Sequence, residues 1–79
     1  MDIVTFARMI DSLCKAITDF NNEVTRKDAR AADVEYYRGR LMAIKDAIES
    51  AENVSIIFVH KSVNDFYSPI MDYEMYELD

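Results

Sequence analysis

Val54-Ser55-Ile56-Ile57-Phe58-Val59 is the stretch on which the fold class turns. Its β-branched and aromatic residues favour an extended chain. Ile56, Val59, Val63 and Phe66 also match helical spacing, and periodicity alone does not separate the two for a short apolar run. The strand is the reading adopted. Ser68-Pro69 then marks a break, and residues 70–78 read as a second strand returning on the first. In that strand Ile70, Asp72, Glu74, Tyr76 and Leu78 point one way, and Met71, Tyr73, Met75 and Glu77 the other.

Upstream the chain is helical. Ile3, Phe6, Ile10, Leu13, Ile17, Phe20 and Val24 keep a 3-4 rhythm that puts them on one side of a helix. Met9, Ala16, Ala7 and Cys14 widen the stripe. So broad an apolar face predicts a helix over 2–21 buried from two directions, with Asn21-Asn22 as its stop signal. A second rhythm, Val34, Tyr37, Leu41, Ile44, Ile48 and Ala51, is out of phase with the first. A turn within residues 21–28 accounts for the shift, and the second helix ends near Glu52-Asn53. The short connection makes the pair antiparallel. The expected architecture is a single α+β domain over 1–79, an antiparallel helical hairpin followed by a C-terminal β-hairpin packed on the first helix. Its alternative is an all-α three-helix bundle.

A chain of 79 residues buries only about 60% of the surface its unfolded form exposes, so self-association or a partner is a natural source of further burial. One cysteine cannot form an internal disulfide, which favours a reducing, cytoplasmic setting. The N-terminus lacks the basic region of a signal peptide, and four consecutive large apolar residues are too few to span a bilayer.

The net charge of −6 is unevenly spread. Residues 25–45 hold six Lys or Arg against three Asp or Glu, whereas residues 62–79 hold acids and no Lys or Arg. Phosphate would be repelled by most of this chain, while a basic protein surface would be attracted.

Signals for catalysis are weak. His60, Ser62 and Asp65 are types used in a hydrolytic relay, but near neighbours in one strand and turn seldom reach that geometry. Gly39 is the only glycine, so no Gly-rich loop exists to cradle phosphate. Cys14 lies in the apolar stripe with no cation placed to activate it. Asp72, Glu74 and Glu77 lack the turn and ligand count of a calcium loop. No cofactor or metal is expected.

Two segments carry recognition chemistry. Residues 65–79 alternate acids with large apolar groups, and Asp72, Tyr73, Glu74, Tyr76 and Glu77 are candidate partner-binding residues, since charge steers association and rings supply buried area. In the second helix Tyr36, Gly39, Arg40 and Ala43 share an outer face, where Tyr and Arg are types enriched at binding hot spots. The expectation is a non-catalytic acidic module, an inhibitor or competitor, that docks onto a basic surface of a partner protein and competes for that surface where it ordinarily holds nucleic acid. In size and charge it is analogous to small inhibitors of phages and mobile elements. The alternative is a homodimeric helical module holding an anionic ligand or nucleic acid through Arg26, Arg30, Arg38 and Arg40.

Overall fold

A computed structural model describes residues 2–62 and 67–78 of the chain. Helix α1 spans Ile3–Val24 and α2 spans Ala31–Glu52. Strands β1, Val54–His60, and β2, Ile70–Glu77, pair antiparallel. The fold is a helical hairpin followed by a two-stranded sheet, so residues 54–60 are strand and the three-helix alternative does not form. The molecule measures 41 × 23 × 16 Å.

Local chemistry explains the helix ends. Asp2 caps α1, its Oδ1 accepting the Thr5 amide at 2.7 Å. The helix runs on through Asn21 and Asn22, three residues beyond the predicted stop. Thr25 closes it, its amide and hydroxyl both donating to the Asn21 carbonyl. Helix α2 ends on Asn53, whose left-handed backbone, φ 52° and ψ 53°, turns the chain sharply into β1.

Both layers share one core. Leu13, Ala16 and Phe20 of α1, Val34, Leu41 and Ile48 of α2, and Val54, Ile56 and Ile70 of the sheet are buried. The apolar stripe of α1 is less buried than its rhythm predicts. Ile3 is 86% exposed because α2 and the sheet do not enclose the first turn of α1. Cys14, placed by sequence on the flank of the stripe, is exposed.

The sheet carries one irregularity with a large effect. Val59 faces Asp72, but His60 faces Ile70, so Met71 is an extra residue on β2. A β-bulge of this kind switches the side-chain alternation across it. Ile70 therefore joins Tyr73 and Met75 on the helix-facing side, and Met71 is exposed. The regular alternation expected over 70–78 is corrected at this one point. Ile70 is turned to the core, while Asp72, Glu74 and Tyr76 stay on the opposite face.

Two asparagines hold β2 at its ends. The Asn21 side chain donates from Nδ2 to the Ile70 carbonyl and accepts the Ile70 amide on Oδ1, both at 2.8 Å. It thus stands in for a neighbouring strand. At the other end the Leu78 amide donates to the Asn53 carbonyl, and Asn53 Nδ2 donates to the Leu78 carbonyl. Carboxylates occupy amides along the sheet edges. Glu49 of α2 accepts the Ile56 amide at 2.8 Å while also accepting from Lys45. Asp72 accepts the amide of Tyr73.

Two outcomes follow from these bonds. Replacing Asn21 by Ala removes two hydrogen bonds worth about 1 kcal/mol each and strands the Ile70 amide. Urea unfolding should show a loss of about 2–3 kcal/mol, with the Ile70 amide among those whose exchange accelerates most. The Ile56 amide, and then Lys45, hold the Glu49 carboxyl below its ordinary value. A lowered folded-state pKa contributes stability above the unfolded value, about 4.3, that is lost as pH falls through the folded value. The stability of the wild-type chain should therefore fall on acidification below about pH 4, more steeply than that of Glu49→Gln, which keeps an acceptor for Ile56. Parallel acid-unfolding curves would contradict this.

Candidate functional site

The sheet has two faces of different chemistry. The inner one, Val54, Ile56, Phe58, Ile70, Tyr73 and Met75, lies on the helices. The outer one carries the cross-strand pairs Ser55–Tyr76, Ile57–Glu74 and Val59–Asp72. Ile57 is 50%, Val59 41% and Tyr76 49% exposed. An apolar strip on β1 thus runs beside an acidic strip on β2, with a tyrosine at one end. No other described element covers this face.

Asp72, Glu74 and Glu77 form no ion pair with Lys or Arg among the described residues. The Tyr76 hydroxyl donates to the Glu74 carboxylate. That bond, and the carboxylate charge after it, push the Tyr76 phenol above its ordinary value. The ring is thereby oriented along the strand while still offering an exposed face.

The remaining sequence-predicted residues lie elsewhere. Tyr73 faces the helices opposite Phe58, and burial, then the neighbouring Cys14, raise its phenol. Glu77 pairs with Val54 at the end of the sheet. On α2, Tyr36 is 60% exposed and packs edge-on against Tyr37 at 5.1 Å. Gly39 faces open space. Arg40 reaches across to Asp19 of α1 at 3.2 Å, so it ties the hairpin together. These three form a patch on the helices, separate from the outer face of the sheet. Asp65 and Asp79 lie outside the described residues.

The basic zone is largely engaged within the chain. Arg26 lies 3.3 Å from both Glu23 and Asp28; Asp28 first, and Glu23 after it, hold its guanidinium more firmly charged. Arg38 lies over the Tyr67 ring at 5.4 Å, a cation–π contact. His60 points Nδ1 at the Ser68 carbonyl, 2.9 Å away, and Ser68 also bonds Ser62. These bonds join the described ends of the β1–β2 connection. Among the described residues no three His, Cys, Asp or Glu side chains gather as a metal site, and no helix is long and apolar enough to cross a membrane.

Ile57 and Val59 were not singled out in the sequence as surface residues. The signal was present in the alternation of 55, 57 and 59 against 54, 56 and 58. Comparison with known protein families, with curated proteins and with solved structures finds no match for this chain.

Because a Cβ at Gly39 would meet nothing within 4 Å, Gly39→Ala should stabilise the chain by roughly 0.5–1 kcal/mol, the difference in helix propensity. Thermal unfolding measures this, and a destabilised variant would show that the backbone at Gly39 is not a free helical surface.

Proposed function

We propose that the protein is a non-catalytic binding module whose outer sheet face docks onto a basic surface of a partner protein. One observation carries this reading: Asp72 and Glu74, unpaired with any cation among the described residues, stand beside exposed Ile57, Val59 and Tyr76 on a face that no other described element covers. Carboxylates in that setting steer a positive partner and reject a negative one. The apolar strip and the tyrosine then supply area that gains by leaving water. Where the partner's basic surface ordinarily holds nucleic acid, the module acts as an inhibitor by competing for it, as small acidic proteins of phages and mobile elements do. A reducing, cytoplasmic setting suits the exposed, unpaired thiol of Cys14.

The anion-binding alternative has less to draw on. Arg26 and Arg40 already serve carboxylates of the same chain, and Arg38 is stacked on Tyr67.

The test uses affinity capture from the source cells, followed by titration of the captured protein. Asp72→Asn with Glu74→Gln should weaken binding at least tenfold and reduce its salt dependence. Asp11→Asn, an exposed acid on α1, should leave it unchanged. Equal loss in both variants, or none in either, would remove the outer face from the function.

A further inference from the structure

The molecule has a second acidic feature, on a different face and independent of the first. A cleft of about 500 Å³ opens between the start of α1 and the far end of the sheet, lined by Phe6, Glu52, Asn53, Val54, Met75, Glu77 and Leu78. Its walls are apolar through Phe6, Val54, Met75 and Leu78. Its polar side chains are the carboxylates of Glu52 and Glu77 and the amide of Asn53, whose Nδ2 already donates to the Leu78 carbonyl.

Glu52 is the unusual member. It is the last residue of α2, where the helix dipole places partial negative charge and a cation is favoured. No basic residue lies in the last turn of α2. Its Oε1 is buried and has no hydrogen-bond partner among the described residues. A buried oxygen without a donor is costly, and a charged one more so. Neither Glu52 nor Glu77 forms an ion pair among the described residues. A carboxylate, a helix C-terminus and a second carboxylate thus converge on a cleft with greasy walls.

We propose that this cleft receives a lysine or arginine side chain of a partner protein. The alkyl stem lies along Phe6, Met75 and Leu78, and the cationic head pairs with the Glu52 carboxylate beside Glu77. Long basic side chains are built for such a site, apolar along the stem and charged at the tip. Leu78, 49% exposed, and the uncovered first turn of α1 with Ile3 and Val4 form an apolar approach, so the basic residue arrives flanked by apolar neighbours. A second copy of this chain meeting the same patch would oppose carboxylate to carboxylate, which disfavours symmetric self-docking.

The test titrates the intact protein with n-pentylammonium, a lysine stem with its head, against 1-pentanol as the neutral counterpart, following side-chain carboxyl carbons and methionine methyls by NMR. The amine should give saturable shifts at Glu52 and Met75 and bind at least tenfold better than the alcohol. Glu52→Gln should remove that preference, while Asp72→Asn with Glu74→Gln keeps it. Leu78→Lys, which brings the chain's own ammonium to the rim, should raise the melting temperature and block the amine. Equal shifts from amine and alcohol, shifts spread over all carboxylates alike, or unchanged binding in Glu52→Gln would each overturn the proposal.

Discussion

The pair of hydrogen bonds between the Asn21 amide and the backbone of Ile70 is the constraint on which the remaining structure depends. Two strands by themselves are marginal in water and need an apolar layer beneath them. Burial supplies the attraction between sheet and helices, but burial has no direction. The amide does. It accepts one N–H and donates to one carbonyl, so it fixes where along α1 the strand begins. Ile70 is then seated over the core, and everything downstream on β2 follows in register. Asn53 performs the matching task at the far end, so the strand is held between two side-chain amides from opposite ends of the helical hairpin.

Much of this was legible in the residues. The two out-of-phase 3-4 rhythms predicted the helical hairpin, and the β-branched run from Val54 predicted β1. Asp72, Glu74 and Tyr76 were correctly assigned a common face. Two of the departures share a cause, a polar group whose bonding is long-range. Asn21 reads locally as a residue that ends helices, yet its side chain is spent on a residue 49 positions away, so the helix continues past it. Its position, four after Ile17 and three before Val24, placed an amide inside an apolar spacing. That was the available clue. The bulge at Met71 had no comparable signal. Nothing in Ile70-Met71-Asp72 distinguishes regular alternation from an inserted residue, and the clamp on Ile70 decides it. The exposure of Ile3 has a different cause: the rhythm of a helix describes its own symmetry and not the length of what packs against it.

Charge is partitioned by layer. Three cations find carboxylates near at hand, Arg26 of the connection with Glu23 and Asp28, Arg40 with Asp19 and Lys45 with Glu49. The acids of β2 find none among the described residues. A distribution that looks in the sequence like a basic middle and an acidic tail drawn together becomes, in three dimensions, a helical layer that pairs several of its own charges beneath a sheet whose acids pair with no cation among the described residues. The arginines of α2 consequently act more as fasteners than as a landing strip.

The carboxylates of Glu49 and Asp72 each occupy a backbone amide that would otherwise point outward from the sheet. Exposed strand margins are templates on which further chains can line up. Here the donor at Ile56 is taken by a helix side chain and the donor at Tyr73 by the residue before it. Each margin thus has one of its outward donors already engaged, which leaves fewer sites on which a further strand, drawn by the isoleucines and valines of β1, could line up.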